Sequence, residues 1–171
     1  MEMAGDGCHN EQIPFGGEAV GPNPTDRAKD GTKREIVTDG IGVPLGVSVE
    51  GANRHDMKMT EATLSNVQVV PENPDQDQNL CMDKGFDYPE VYELVCDYGY
   101  TPHIRSRGEE KMALKKIPGF RSRRWVSERT HSWMNRFRRL LIRWEKKKDN
   151  YLNMIYIACA FITFRVAGVL G

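Results

Sequence analysis

Residues 80–105, LCMDKGFDYPEVYELVCDYGYTPHIR, predict a strand, a helix and a second strand in succession. The apolar run 80–82 ends at Asp83 and suits a short buried strand. A helix is expected over residues 88–98, and residues 101–105 predict the next strand. Because a helix that joins two strands favours a parallel pair, this stretch indicates an α/β fold.

The residues upstream predict antiparallel strands. Residues 34–50, REIVTDGIGVPLGVSVE, predict a hairpin with its turn at Asp39-Gly40, and a helix is expected over about 57–67. Gly, Pro, Asn and Asp residues are frequent over 7–33, which predicts a long loop and leaves only a poor first strand that ends near residue 6. The predicted fold is therefore a mixed sheet with flanking helices, truncated at its first strand.

The last third of the chain predicts two helices. Apolar residues at helical spacing indicate one long basic helix with a single apolar stripe, formed by Val126, Thr130, Trp133, Phe137, Leu140, Leu141 and Trp144. Its opposite face would carry Arg124, Glu128, His131 and Asn135. A second helix is expected over 150–167. Its uncharged run of 13 residues, 152–164, is shorter than the roughly 20 that a membrane span needs, so it predicts a buried helix.

The composition bounds the class of protein. The chain has 171 residues, 39% of them apolar and 28% charged, which fits one globular domain over 1–171. Within it we expect the loop 7–33, a central sheet with helices over 34–119, and C-terminal helices over 120–171. The four cysteines form no CxxC pair, which disfavours structural zinc and disulfides and favours a reducing cytoplasm.

A charge split underlies the zero net charge. Residues 1–104 have 19 acidic and 7 basic side chains, a net of −12, whereas residues 105–148 have 16 basic and 4 acidic, a net of +12. The basic segment predicts either a polyanion-binding surface or a solvated helical face paired with the acidic half of the same domain. Charge alone does not decide between these alternatives.

Three carboxylates are candidates for a magnesium site. Mg²⁺ prefers oxygen ligands, and two-metal phosphoryl transfer needs a few converging Asp or Glu residues. Asp83 ends a predicted strand, Glu128 lies on the basic helix, and Asp6 follows the first strand. Each also has an ordinary structural interpretation: Asp83 and Asp6 as turn residues, and Glu128 as a surface partner of Arg124 at i, i+4.

Several segments, taken together, resemble a known family. They are GGEAVGPNPTDRAKDGTKR, TDGIGVPLGVSVEGANRHDMK, CMDKGFDYPEV, TPHIRSRGEE and RRWVSERTHSWMNRFRRLLIRWEKK, in this order over about 14–168. The chain resembles the DDE-type transposases of bacterial insertion sequences, in the insertion-sequence-five family. The resemblance implies an RNase H-like catalytic core with an Asp, Asp, Glu triad.

The resemblance assigns roles to the three carboxylates. Asp83 in CMDKGFD matches the second Asp and Glu128 in RWVSERTHSW matches the Glu. Asp6 is the best candidate for the first Asp, with Asp26 and Asp39 as alternatives. Asn135 stands where the family usually has a basic residue, seven residues after the Glu.

The implied activity is Mg²⁺-dependent cleavage and strand transfer of element ends. The triad would hold two Mg²⁺ or Mn²⁺ ions, and His131 would orient a water or a phosphate. Seven arginines would contact DNA phosphates: Arg123, Arg124, Arg129, Arg136, Arg138, Arg139 and Arg143. The implied partners are terminal inverted repeats and target DNA, with a homodimer to join two ends, no membrane, and a prokaryotic, nucleoid-associated location.

Two alternatives remain at this stage. Family members normally have an N-terminal DNA-binding region before the core, so the chain is expected to be a catalytic-core portion. One alternative is a non-catalytic DNA-binding fragment, in which an incomplete first strand prevents the metal site from forming. The other, an RNA- or ribosome-associated basic protein, explains the charge split but not the ordered motifs.

Overall fold

A computed structural model describes residues 2–23, 29–69, 77–105, 107–116 and 124–169. The strands are β1 (Glu2–Gln12), β2 (Gly21–Pro22), β3 (Asp30–Asp39), β4 (Pro44–Gly51), β5 (Gln78–Asp83) and β6 (Tyr100–Arg105). The helices are α1 (Met57–Ser65), α2 (Pro89–Asp97), α3 (Arg107–Lys116), α4 (Arg124–Met134), α5 (Arg138–Leu141) and α6 (Lys148–Val166), and a short 3₁₀ helix spans Lys84–Phe86.

The strands form one mixed sheet in which β1 is central. β1 pairs antiparallel with β3 on one side and parallel with β5 on the other, and β5 pairs parallel with β6. β3 also pairs antiparallel with β4 and with the short β2. The predicted α/β class, the hairpin and the strand–helix–strand unit are therefore confirmed, while the narrower RNase H-like assignment stays a prediction.

Helices cover both faces of this sheet, because apolar side chains alternate along its strands. On one face, Val37, Leu80 and Met82 pack against the apolar sides of α1 and α2. On the other face, Ile36, Val47 and Val49 pack against residues of α4, α5 and α6. Helix α4 contacts β1, β3 and β5, so it lies across the centre of the sheet.

The first strand is longer than predicted. β1 has 11 residues and continues to Gln12, so the prediction of a strand truncated near residue 6 and of a loop from residue 7 is wrong. Pairing of residues 7–12 with β3, and of residues 2–6 with β5, overrides the weak strand propensity of GDGCHNEQ. The loop predicted over 7–33 also extends too far at its other end, because β3 begins at Asp30.

The composition of residues 106–119 predicts a basic loop closed by Pro118-Gly119, and this prediction is wrong for residues 107–116. Residues Arg107–Lys116 form α3. Its sequence RGEEKMALKK is rich in Glu, Lys, Met, Ala and Leu, all strong helix formers, and these outweigh the single glycine. Residues 117–123 lie outside the described part of the chain.

The long basic helix is interrupted. Helix α4 ends at Met134, and Phe137 has an extended backbone before α5 begins. The break lets Met134 and Leu140 both enter the core that contains α6. As a consequence, two residues of the predicted stripe leave the core, because Leu141 and Trp144 are exposed.

Helix α6 confirms the second predicted C-terminal helix but is only half buried. Tyr151, Ile155, Ala158 and Ile162 form its buried side. Its other side exposes Tyr156, Ile157, Phe161 and Phe164 to solvent, so the expectation of a helix buried all round is wrong. Within the described ranges, no helix combines the length and the apolar character that crossing a membrane requires.

Candidate functional site

Asp83 lies at the carboxyl end of β5, on the face of the sheet that α4 covers. Its neighbour Met82 faces α1 and α2. Successive side chains of a strand point to opposite faces, so Asp83 belongs to the other face. Its Oδ1 accepts a hydrogen bond of 2.5 Å from the backbone N–H of Lys84, which starts the short 3₁₀ helix. The sequence-predicted position at a strand end is confirmed.

Asp6 lies in the strand next to Asp83. In the parallel pairing of β1 with β5, Asp6 is the partner of Met82, one residue before Asp83. Adjacent strands lie about 4.8 Å apart and one residue advances about 3.3 Å, so the Cα atoms of the two aspartates are about 6 Å apart. The pairing of β1 shifts by one residue between Met3 and Asp6, which is a bulge, and bulges often redirect side chains next to functional sites.

Glu128 is exposed on α4, and two contacts fix the helix at that point to the tip of the β3–β4 hairpin. The Thr130 hydroxyl donates to the Gly42 carbonyl at 2.8 Å, and Nη2 of Arg129 donates to the Ile41 carbonyl at 2.5 Å. Gly42 has a φ of +87°, and a Cβ there would meet the Thr130 hydroxyl at 3.0 Å. The close approach of this turn to α4 therefore requires glycine.

The other end of α4 is fixed to β3. Nη2 of the buried Arg34 donates to Oδ1 of Asn135 at 3.0 Å. Because Thr130 contacts the hairpin tip and Asn135 contacts the middle of β3, α4 runs antiparallel to β3 and parallel to β1. Asn135, which departs from the basic residue expected there, thus links a helix to the sheet.

The donor set of the three candidate carboxylates fits Mg²⁺ or Mn²⁺, since it offers only hard oxygen ligands. Two of the three residues, Asp6 and Asp83, lie on neighbouring parallel strands, and the third lies on the helix across them. Among the side chains that the structure describes, no three His, Cys, Asp or Glu residues are close enough to hold a metal ion. The side chain of Asp6 is not among the described side chains, so this finding does not include it.

A fourth carboxylate, Asp56, lies beside the turn that follows Asp83. Asp56 occupies the N-cap position of α1, but its side chain makes no capping hydrogen bond. Its Oδ1 accepts a hydrogen bond of 2.5 Å from Lys33, whose side chain is largely buried. A Cβ added at Gly85 would lie 3.7 Å from Oδ2 of Asp56, so this ion pair packs against the Asp83 turn.

Lys84 and Asp87 form an exposed ion pair on the same turn. The hydrogen bond from Lys84 lowers the pKa of the Asp87 carboxyl and raises the pKa of the Lys84 ammonium. Tyr92 also donates to Asp87, at 3.1 Å. On the turn after Asp83, the charges of Lys84 and Asp87 thus neutralise each other.

Three of the arginines predicted to bind DNA are exposed on the segment after α4. Arg136, Arg138 and Arg139 all reach solvent, and Arg139 also forms an ion pair of 3.0 Å with Glu145. Arg123 and the side chain of Arg124 lie outside the described part of the chain. An exposed guanidinium is available to phosphate, so these three positions fit the predicted role.

Arg143 is the clearest exception among these arginines. Its side chain is fully buried and donates to the Thr32 hydroxyl at 2.7 Å and to the Glu145 carbonyl at 2.9 Å. Its guanidinium also lies over the Tyr151 ring, 5.0 Å from the centroid. The predicted phosphate contact is therefore corrected: Arg143 joins the C-terminal helices to β3.

His131 differs from its predicted position on α4, and Asp39 has a structural role in place of the alternative catalytic one. His131 is only 6% exposed, so it does not lie on the polar outer face of α4 that the spacing predicted. Oδ1 of Asp39 accepts from the backbone N–H groups of Ile41 and Val43 at 3.0 and 2.8 Å, which makes it the residue that shapes the hairpin turn. Asp26, the other alternative for the first Asp, lies outside the described residues.

Arg129 is held between two tryptophans of its own helix, a feature that the sequence reasoning missed. Its guanidinium lies 4.3 Å from the ring centroid of Trp125 and 4.7 Å from that of Trp133. Trp133 is partly buried against the core, whereas Trp125 is 50% exposed. The spacing of four residues between Trp125, Arg129 and Trp133 was the available signal, since such residues are neighbours on a helix.

Two comparisons with known proteins show the family of this chain. Residues 8–162 match the family described as the transposase DDE domain. The chain is also 35% identical, over 155 residues, to a putative transposase for insertion sequence element IS402 from Burkholderia cepacia. That match covers 86% of this chain and 70% of the relative. These two matches show the family, whereas the narrower insertion-sequence-five assignment stays a prediction. The chain therefore belongs to the DDE-domain transposases of bacterial insertion sequences.

Proposed function

We propose that this chain carries out metal-dependent cleavage and strand transfer of insertion-sequence DNA ends, at a site made by Asp6, Asp83 and Glu128. The observation that carries the proposal is the position of Asp83 at the carboxyl end of β5, on the face of the sheet covered by α4, the helix that carries Glu128. Asp6 lies on β1, the parallel strand next to β5.

The three carboxylates would hold two Mg²⁺ or Mn²⁺ ions. When bound, such ions supply the activation of a water or a DNA 3′-hydroxyl and the stabilisation of the leaving oxygen. The protein's own part is to hold the carboxylates in place. Pairing on both edges fixes β1, and the contacts of Thr130 and Asn135 with β3 and its hairpin fix α4.

DNA would be held by the exposed arginines that follow α4. Arg136, Arg138 and Arg139 would contact phosphate oxygens and so position the duplex without recognising its sequence. Arg123 and Arg124, which the sequence analysis also assigns to phosphate contacts, would extend this set. Because joining two element ends needs two sites, we also propose a homodimer that acts on the nucleoid.

The alternative of a non-catalytic DNA-binding fragment rests on a first strand too short to carry its Asp. The structure does not favour it, since β1 extends from Glu2 to Gln12 and pairs on both sides of Asp6. An RNA-associated basic protein is likewise not favoured by the family match over residues 8–162.

The proposal is tested by nicking of a plasmid that carries the terminal repeats flanking the gene. Asp83→Asn is expected to lower the Mg²⁺-dependent rate by at least about 100-fold, because even the outer partners of metal ligands cost 10- to 100-fold. Its affinity for the same DNA should stay within about twofold, since phosphate contacts dominate affinity.

The matched control is Asp97→Asn, which removes the same charge from the exposed end of α2. This variant should nick at the rate of the unmodified chain. If Asp83→Asn nicks as fast as Asp97→Asn, the assignment of the site is wrong. If neither the unmodified chain nor the control cuts DNA in Mg²⁺ or Mn²⁺, the proposed activity is wrong.

A further inference from the structure

Helix α6 presents a broad apolar face to solvent. Its buried side packs on β4, α4 and α5, so the helix is fixed against the rest of the domain. Its outward side carries five neighbouring apolar or aromatic residues, all of them exposed: Tyr156, Ile157, Ala160, Phe161 and Phe164. The four large side chains among them have exposed fractions between 42% and 52%. These five residues are called the α6 face below.

The area of the α6 face matches the apolar part of a protein interface. An aromatic side chain has about 200 Å² of surface, so three half-exposed rings leave about 300 Å². Ile157 and Ala160 bring the total to roughly 400 Å², near the largest apolar patch that a typical monomer exposes. A stable interface buries about 800 Å² on each partner, and about 57–65% of that area is apolar. The α6 face thus supplies most of the apolar area that one partner contributes.

The chemistry of the α6 face favours a protein as its occupant and disfavours DNA. Residues 150–164 contain no charged side chain, so this surface has nothing to neutralise phosphates, which dominate the affinity of proteins for DNA. Apolar surface is stabilised by contact with other apolar surface, which removes both from water. The occupant is therefore expected to offer an uncharged apolar surface of similar size.

The α6 face is complementary to itself. Ala160 lies between Tyr156, one turn before it, and Phe164, one turn after it, within an arc of about 80°. When two antiparallel copies of α6 cross at Ala160, Tyr156 of each copy lies level with Phe164 of the other, because both are about 6 Å from the crossing point. The small Ala160 lets the two helix axes approach to about 8 Å. A two-fold axis needs only one such self-complementary surface.

We infer that two copies of this chain form a symmetric dimer through the α6 face, with antiparallel α6 helices that cross at Ala160. This inference rests on the proposed function, which needs two sites to join two element ends, and it names the surface that holds them together. Helix α6 contacts α4, the helix that carries Glu128. The interface would therefore keep the two proposed sites in a fixed relation to each other.

Sedimentation velocity of the full chain, in a chelator and without DNA, measures the dimer. The unmodified chain should sediment as a dimer at micromolar concentration. Ala160→Glu places two carboxylates opposite each other on the two-fold axis and should raise the dimer Kd at least about 100-fold. Tyr156→Glu should act in the same direction. The matched control is Tyr98→Glu at the end of α2, which lies on the opposite face of the sheet; Tyr98 is 37% exposed and Tyr156 is 42% exposed. This control should dimerise like the unmodified chain.

Disulfide formation tests the antiparallel geometry. Ala160→Cys puts two thiols at the crossing point, where the Cα atoms of helices about 8 Å apart come within the roughly 4–7 Å that a disulfide spans. Asn153→Cys is the matched control on the same exposed side of α6. Each Asn153 is seven residues from the crossing point, so the two copies would be about 21 Å apart along the axis. Mild oxidation should link Ala160→Cys into dimers and leave Asn153→Cys no more linked than the unmodified chain.

The inference is overturned if the unmodified chain is a monomer, or if both glutamate variants dimerise as tightly as Tyr98→Glu. It is also overturned if Asn153→Cys links as readily as Ala160→Cys, as parallel helices would. Nicking of the repeat-bearing plasmid needs one site and separates these outcomes from failure of the proposed function. Normal nicking with any of them leaves the proposed site standing and the interface wrong. A dimer that behaves as expected but does not nick leaves the interface standing and the proposed site wrong.

Discussion

Replacing the buried Arg143 with alanine should destabilise the whole domain without a specific effect on DNA. The guanidinium joins three parts of the chain that are distant in sequence. Nη1 donates to the Thr32 hydroxyl on β3, and Nε donates to the Glu145 carbonyl beyond α5. The same group lies over the Tyr151 ring of α6. Alanine would remove these contacts and leave a cavity.

The size of the effect follows from these contacts. Hydrogen bonds to charged groups contribute about 1.5–3 kcal/mol each, and the two short bonds of Arg143 are of this kind. Loss of both, with the cavity, should lower the free energy of unfolding by about 4 kcal/mol, within the range seen when buried ionic networks are broken. For a domain of this size, that loss corresponds to a fall in Tm of roughly 10 °C.

The assay is urea unfolding followed by circular dichroism, with Arg138→Ala as the matched control. Arg138 is exposed, so its removal should change stability by less than about 0.5 kcal/mol but weaken DNA binding and reduce its salt dependence. Arg143→Ala should instead lower the stability and leave DNA binding and its salt dependence unchanged. An Arg143→Ala variant with normal stability and weakened DNA binding would refute the structural role of Arg143. It would instead support the phosphate contact that the sequence predicted.

Three further predictions concern other parts of the fold. Gly46→Ala should lower stability by about 2 kcal/mol in urea unfolding, because a Cβ there would lie 2.5 Å from a backbone oxygen of α1; an unchanged midpoint would contradict this packing. Alkylation followed by mass spectrometry at pH 8 should label Cys96 and spare Cys159, because burial raises the pKa of Cys159 to about 12 and keeps the thiol protonated; equal labelling would be contrary to the account. Asp56→Asn should cost about 1–2 kcal/mol, since it leaves the largely buried Lys33 without its ion pair, and a change below 0.5 kcal/mol would show that the pair is dispensable.

The local pattern of the sequence predicts the elements whose residues agree with their tertiary surroundings. The hairpin, β5, α2 and β6 carry their own turn residues and periodicity, and their positions are confirmed to within a few residues. The strand-end position of Asp83 follows from the same pattern. Predicting these elements needed no knowledge of the elements that pack against them.

The parts that sequence reasoning missed depend on distant contacts. β1 has a glycine-rich sequence and forms because β3 and β5 pair with it on both sides. The helix over 124–144 is interrupted because Met134 and Leu140 both pack against α6, which no local periodicity indicates. Arg143 was assigned to DNA by charge, yet its partner on β3, Thr32, lies 111 residues earlier in the chain.

The most direct test of the central claim is a crystal structure of the full chain soaked in Mn²⁺, with the ions located by their anomalous scattering. The account predicts two ions about 4 Å apart, held by the carboxylates of Asp6, Asp83 and Glu128. Absence of Mn²⁺ from this position, or ions coordinated without Asp6 and Glu128, would contradict it.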